Sequence, residues 1–260
     1  MTSTTQENKT LKKIIKSILV LLFWLAVWET ASLLVRNELK LFLPDPITVF
    51  RKWLEVGFTK EYLSDAAATL LRIFAGFAFG VAGGFILGIL TSSFKAVNAV
   101  ISPALRLIRA VPVVSFIILA YLFININSLP IFISFLMVVP LMWQTVHDGI
   151  TGSDRELDEM CKVYGIGKTK ALFRIKLPQC IPEIITAGVS ALGFAWKSGV
   201  AAEVLCTPNI SLGHRIYSAK AALSFDEVYA VTLTVVLLSV VIEMLLKSLC
   251  KKLLRRGKNA

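Results

Sequence analysis

Three groups of residues in this chain could do chemistry, and their spacing decides what kind. Gly165-Ile-Gly-Lys-Thr169 imitates the end of a phosphate-binding loop. The full pattern needs a glycine five residues before Gly167, and Lys162 stands there, with no strand-like run ahead of it. Nucleotide binding at this position is excluded. The two histidines, His147 and His214, fall in different segments and form no H-E-x-x-H pattern. Asp148, Asp154 and Glu156 follow His147, a set that reads as the solvated end of a span rather than a metal cluster. No Gly-x-Ser-x-Gly nucleophile pattern occurs. The four cysteines, Cys161, Cys180, Cys206 and Cys250, have neither zinc-ligand nor disulfide-framework spacing. The third group is Lys197 and Glu203, two charges inside an apolar run. An ionisable residue in such a run must face a bundle interior, a partner or water. Six residues apart, the two lie about 120° apart around a helix and cannot pair along one face.

A charged island, Arg155 to Pro178, interrupts the apolar runs. Leu157, Met160, Cys161 and Tyr164 fall at i, i+3, i+4 and i+7, which places them on one face of a short amphipathic helix. Gly165 and Gly167 supply the permissive backbone that ends that helix and turns the chain. Ala171, Leu172 and Ile175 repeat the apolar face, and Pro178 is expected to close a second short helix.

Glu159, Gly165 and Ile175-Lys-Leu177-Pro178 carry a resemblance. Their order and spacing are similar to the cytoplasmic loop signature of permease subunits of bacterial ATP-binding-cassette importers, in the nitrate, sulfonate and taurine branch. Met160 and Cys161 stand where that signature has two alanines. The Leu43-Pro-Asp-Pro46 segment and Arg72 also match the branch. The resemblance, over residues 40 to 250, implies an all-α polytopic membrane protein of the type I importer permease fold, with six transmembrane helices and a cytoplasmic coupling-helix loop. It implies no cofactor in this chain, ATP and Mg being bound by separate cytoplasmic ATPase subunits. It also implies an extracytoplasmic solute-binding protein, surrounding membrane lipid and a second permease copy. Leu157, Glu159, Met160 and Tyr164 would dock on the ATPase, Gly165 would set the angle of the loop, and Ile175, Leu177 and Pro178 would close it. Trp196, Lys197 and Glu203 would belong to the substrate pathway. Lys197 departs from the commoner apolar residue of the branch. Two readings of it stand: a positive contact for an anionic solute, or a partner for Glu203 of a second copy or for Glu243.

The elements that must position these residues are membrane spans. The chain is 56% hydrophobic and 17% charged over 260 residues, with mean hydropathy +0.72. Soluble domains carry about 25% charged residues. Apolar runs at 14–35, 66–92, 104–124, 129–147, 181–205 and 228–249 approach or exceed the roughly 20 residues a helix needs to cross hydrocarbon. They form a permease domain at 14–250 with a polar tail at 1–13, the coupling loop at 155–178 and a basic tail at 251–260. Val49 to Val56 suits a short interfacial helix, and Pro112 a kink in the third run, in the first turn of its most apolar part from about Ala110. The first run is longer than a signal-peptide core and is followed by no cleavage pattern, so it reads as a retained span. Gly76, Gly80, Gly84 and Gly88, at steps of four, suit a close helix contact.

The formal net charge is +11, yet the basic residues sit in the gaps between apolar runs, which argues for topology control and against nucleic acid. Of the 28 lysines and arginines, 19 lie on the side of the termini and the island, and 7 on the other. Both termini and the island are therefore expected in the cytoplasm of a bacterial inner membrane. An ion-coupled secondary transporter is the alternative. It would need convergent carboxylates near the midplane, and Glu203 and Glu243 sit near span ends.

Overall fold

The computed structural model describes residues 3–35, 42–152 and 155–258. Arg36, Lys40 and Asp154, and the side chains of Lys9, Lys12, Lys13, Arg155, Arg255, Arg256 and Lys258, lie outside the described residues. The helices in chain order are α1 (Ser3–Leu34), α2 (Pro46–Val56), α3 (Lys60–Ser93), α4 (Lys95–Ala110), α5 (Val113–Tyr121), α6 (Leu129–Thr151), α7 (Arg155–Val163), α8 (Lys168–Ala171), α9 (Leu177–Cys206), α10 (Leu212–Ala221) and α11 (Phe225–Lys258). A π-helical turn, Leu172–Lys176, joins α8 to α9.

Each apolar run of the sequence falls on a helix, but the runs are not equivalent. Among the described residues four helices are long and apolar enough to cross a membrane: Lys60–Ser93, Leu129–Thr151, Lys168–Cys206 and Phe225–Lys252. The third run is not one straight span with a kink. α4 and α5 meet at 103° across Val111 and Pro112, and counting that bent pair gives up to five crossings. Val111 is extended (φ −83°, ψ 134°), as the residue before a proline prefers, and Pro112 offers no N–H to continue the helix. α5, nine residues long, spans about 14 Å, well short of the roughly 30 Å hydrocarbon core. The apolar stretch Ile18–Leu34 of α1 is largely exposed. Trp28 and Ser32 on it donate to the carbonyls of Pro44 and Leu43 and so fix the Leu-Pro-Asp-Pro segment. Asp45 caps α2 by accepting from the Thr48 N–H at 2.9 Å, which holds its carboxyl below the ordinary range, and Pro46 opens the helix.

The core is a three-helix seam. The glycine stripe of α3 lies directly on α6. A Cβ on Gly80 or Gly84 would stand 2.6 Å from the Cβ of Val138 or Met142, and one on Gly76 or Gly88 would collide with Ile131 or Val146. α9 covers the same seam. Ile73, Val138, Met142, Ala191, Ala195, Trp196 and Val200 are buried together there. Ser134 of α6 donates to the Ala195 carbonyl, and a Cβ on Gly199 would overlap Ile73 and Ser134. α11 is tied in through Thr234, which accepts from Trp53 of α2 and Tyr62 of α3.

Gly83 adjoins the stripe in sequence but would bring its Cβ only to ordinary contact, 3.4 Å from Phe135. Gly84→Ala is therefore expected to destabilise the purified protein by about 1–3 kcal/mol, whereas Gly83→Ala leaves it within about 0.5 kcal/mol. Thermal unfolding in detergent checks both, and equal losses would show that the seam tolerates a methyl group.

Candidate functional site

The charged loop is built around one backbone position. Gly165 has φ +63°, a left-handed conformation that costs an L side chain about 1–2 kcal/mol. The Ile166 N–H reaches the Cys161 carbonyl at 2.8 Å and the Gly165 N–H reaches that of Lys162 at 3.2 Å. These are the two bonds of a Schellman turn, so α7 ends where its glycine requires. A Cβ on Gly165 would meet nothing within 4 Å. The constraint is conformational, not a matter of space.

The expected apolar face of α7 divides. Cys161 is buried and Leu157 half-buried, while Met160 is exposed and Tyr164 is 76% exposed. Val163, 83% exposed, joins them, a residue the i, i+3, i+4, i+7 spacing leaves off that face. Glu159 is exposed beside them. Ile175 and Leu177 are half-buried and Pro178 is exposed.

Pro178 does not close a second short helix, contrary to the sequence expectation. Lys168 to Cys206 is one helical rod of 39 residues, about 58 Å long at 1.5 Å per residue. The proline lies in the first turn of α9, immediately after the π turn, in which the Leu177 N–H bonds the Leu172 carbonyl. A wider turn ahead of a proline relieves the clash with the carbonyl four residues back. The rod is seated where α6 approaches it at Gly149, whose Cβ would stand 2.8 Å from Cys180 Sγ.

Farther along the rod the three pathway candidates separate. Trp196 is buried and donates to the Val235 carbonyl of α11 at 3.2 Å. Lys197 is exposed on the side of α9 away from the seam. Thr186, Ser190 and Gly193 precede it at helical spacing on that side, and a Cβ on Gly193 would meet nothing within 4 Å. Glu203 is 0% exposed.

The carboxylate of Glu203 is answered from inside the same chain. It accepts from Thr69 Oγ1 at 2.7 Å, from Arg72 Nη1 at 3.3 Å and from the Gly213 N–H at 3.4 Å. Arg72 also donates to the Ile210 carbonyl at 2.7 Å, and Thr69 accepts from the Leu212 N–H at 3.0 Å. Thr207, left-handed at φ 52°, ends α9 and turns the chain into this cluster. Gly213 lies against the Glu203 backbone, where a Cβ would overlap it. Below the cluster Arg215 pairs with Asp65 and lies over the Tyr62 ring at 5.2 Å. Of the two partners considered for Lys197, Glu203 is thus enclosed by its own chain, and Glu243 pairs with Lys247 one turn on. An arginine in a span signals a partner, but Thr69, Ile210, Leu212 and Gly213 carry no sequence signal: Thr69 lies 134 residues from Glu203, and the other three join the cluster through backbone atoms.

His147 is occupied within the bundle. Its Nδ1 lies 3.0 Å from Thr91 Oγ1, its ring stacks on Trp143, and Trp143 donates to the same hydroxyl. Removing one member of a buried ion pair strands the other, at about 3–5 kcal/mol. Arg72→Met is expected to lower stability by that order, and Arg72→Met with Glu203→Gln to recover most of it. Thermal unfolding of the single and double variants reads the coupling, and additive losses would show that the two side chains act independently.

Comparison with known proteins places this architecture. A protein of Brucella melitensis named as a probable ABC transporter permease is 26% identical over 212 residues, covering 81% of this chain and 86% of its own. The taurine transport system permease protein of Escherichia coli is 26% identical over 252 residues, covering 93% and 90%. The bicarbonate transport system permease protein of Synechococcus elongatus is 26% identical over 165 residues, covering 63% and 59%. Among solved structures, an amino acid ABC transporter crystallised with histidines aligns at TM-score 0.64 and 20% identity over 78% of this chain and 97% of its own. An inward-facing methionine ABC transporter aligns at TM-score 0.63 and 15% identity over 77% and 98%. These two likenesses establish the fold. The sequence pattern described as binding-protein-dependent transport system inner membrane component matches residues 80–256, which include the charged loop, the rod and Glu203. The chain belongs to that family of transport-system membrane components.

Proposed function

We infer that this chain is the membrane-spanning permease subunit of an ATP-driven, binding-protein-dependent importer, and that the 155–178 loop couples it to a separate ATPase. The observation that carries the coupling is the continuity of Lys168–Cys206. Helices embedded in lipid cannot reach a soluble motor, so a polar element must leave the bilayer. α7 does so, with Met160, Val163 and Tyr164 exposed among charges and Glu159 beside them. Behind the Schellman turn the chain is rod all the way to Glu203. A displacement of α7 is passed through about 58 Å of helix with no hinge loop between.

On this reading ATP and Mg are bound by the ATPase subunits on the cytoplasmic face, where both termini and the loop also lie. Solute is delivered on the opposite face by a solute-binding protein, and two copies of this chain enclose the path. Nucleotide binding shifts the assembly between two packed states by differential affinity. The ion-coupled alternative finds no support in the carboxylates: Glu203 is committed to Arg72 and Thr69, and Glu243 to Lys247.

The path faces Lys197. Its ammonium stands on an open, small and polar strip of α9 and gives that path one positive contact. Relatives named for taurine and bicarbonate transport carry solutes with an acidic group. The solute is accordingly a small anion or a molecule bearing an acid.

Gly165→Val is expected to leave the bundle folded while reducing ATPase recruitment at least about tenfold, since the left-handed turn is forced open. Gly165→Asn, tolerated in that region, should lose far less. Co-purification with the ATPase reads both, and full recruitment by the valine variant would remove the loop from the coupling. Lys197→Met is expected to raise the solute concentration for half-maximal uptake about tenfold, the weight of one hydrogen bond to a charged group. Uptake at unchanged apparent affinity would exclude Lys197 as a solute contact.

A further inference from the structure

The polar residues of α4 are Lys95, Asn98, Ser102, Arg106 and Arg109, and every other position of that helix is apolar. They recur at i, i+3, i+7, i+11 and i+14, which places all of them within about 80° of one another around the helix. No acid stands on α4. Lys95, Arg106 and Arg109 are exposed, and among the described residues none of them has an ion-pair partner. Ser102 is buried and donates to Asn98.

This stripe is not confined to the membrane surface. α4 leaves α3 at the end of the bundle that carries the charged loop, where Gly88 lies on Val146. It then climbs along α6. Leu105 is buried against Val139 and Trp143, and Val139 lies about 15 Å along α6 from Leu129 and about 18 Å from Thr151. Val113, just past the bend, packs against Ile117, Leu129, Ile133, Ala202 and Cys206 at the far end. Arg106 therefore stands near the middle of the bundle, and Arg109 between the middle and the far end. Sequence spacing sets both beside the cytoplasmic gap, and packing lifts them to the depth of the hydrocarbon. With about 15 Å of helix to the nearer end, Arg106 is too deep to snorkel to a surface. An arginine there needs water or a partner. Arg109, three residues on, adds a like charge, and an anion held between the two guanidinium groups relieves that repulsion.

We propose that the polar stripe of α4 is a wall of the solute path between mid-membrane and the cytoplasm, and that Arg106 and Arg109 together bind the acidic group of the solute on its way through. The proposal rests on the importer reading and gives the anionic solute a contact beyond Lys197. Lipid headgroups are the first rival occupant. They stay at the interface, which accounts for Lys95 at the start of α4 and leaves Arg106 unexplained. The second rival is a carboxylate of a second copy. Within the spans Glu203 is enclosed by its own chain and Glu243 is paired with Lys247, so a second copy has few acids to bring to this depth. A small anion in water answers both arginines.

The test uses the full chain assembled with its ATPase subunits in phosphatidylcholine nanodiscs. The Arg106→Cys variant is treated with two methanethiosulfonate reagents of similar size, one bearing a sulfonate and one a quaternary ammonium. The unsubstituted chain, with its own four cysteines, sets the background. Arg106→Cys is expected to react with both reagents and faster with the sulfonate, and adding Arg109→Gln to lower the sulfonate-to-ammonium rate ratio about tenfold. Excess ethanesulfonate or acetate is expected to slow the reaction. Leu107→Cys, about 100° round the helix, is expected to react far more slowly. Should Arg106→Cys not assemble, Ala99→Cys at the edge of the stripe takes its place, with Arg106→Gln as the second substitution. No reaction on the stripe in an assembled, ATP-hydrolysing complex overturns the proposal, as does a ratio that the glutamine leaves unchanged or a rate that neither anion slows. A ratio that collapses when half the lipid is phosphatidylglycerol assigns the stripe to headgroups and overturns it too. A wild-type chain that recruits no ATPase removes the importer reading itself, and the proposal with it.

Discussion

The structure depends on how closely α3 can approach α6. In lipid, apolar side chains gain nothing by leaving solvent, because acyl chains are as apolar as leucine, and helix association must come from contact and from satisfied polar groups. Four glycines at steps of four remove every Cβ from one side of α3 and let the α6 backbone settle against it. That seam makes the bed on which α9 lies. Gly199 meets Ile73 of α3 and Ser134 of α6 at once, so the seat of α9 is made by both of the other helices. Much else hangs from this three-helix unit. α11 and α2 reach it through Thr234 and Tyr62, and α5 reaches it through the cluster of Ile117, Leu129, Ile133, Ala202 and Cys206.

At one end of α9 the bundle spends polar groups to hold the helix still. A carboxylate with no exposed surface is costly unless fully answered. Glu203 is answered by a hydroxyl, a guanidinium and a backbone N–H, and both protein partners on α3 are used twice, Thr69 also by Leu212 and Arg72 also by Ile210. The result staples the 207–213 segment to α3 through one turn of that helix. At the other end α9 runs out into the charged loop, where the Schellman turn at Gly165 is the last constraint before exposed α7.

How far this was legible in the sequence follows from the range of each interaction. Residues that act through their own backbone or helix were readable. Gly165 terminates α7 because a glycine after an amphipathic run suits the left-handed position, Pro46 opens α2, and the glycine stripe of α3 marks the close contact. Residues that act across the fold were not. Glu203 was recognisable as a charge needing a partner, but nothing in one chain points to Arg72 at a separation of 131 residues. The prolines show both outcomes. Pro112 does more than kink its run, because no neighbouring turn offsets the lost N–H, and the chain bends by 103°. Pro178 does less than expected, because the π turn at Leu172–Lys176 takes up the clash and the helix continues. The effect of a proline depends on the turn preceding it, and local composition does not fix that turn. The division of α7 into buried Cys161 and exposed Val163 and Tyr164 has the same origin: periodicity gives a face, and only the packed neighbours say which edge of it is covered.

These constraints decide where motion can occur. A rod fixed at one end by an ion pair, seated along its middle on glycine and serine contacts, and unbroken to the loop cannot flex in its central part without opening the α3–α6–α9 seam. Packed cores of this kind shift between discrete arrangements rather than deform continuously. On the proposed coupling, a push on α7 would displace α3, α6 and α9 together as one body, and the change of access would arise at that body's outer surfaces. Lys197 lies on such a surface, on the side of α9 that the seam leaves uncovered, whereas Trp196, its neighbour in sequence, faces inward and donates to α11. On the proposed function one helix would carry the force and present the contact, about a quarter turn separating inward-facing Trp196 from outward-facing Lys197.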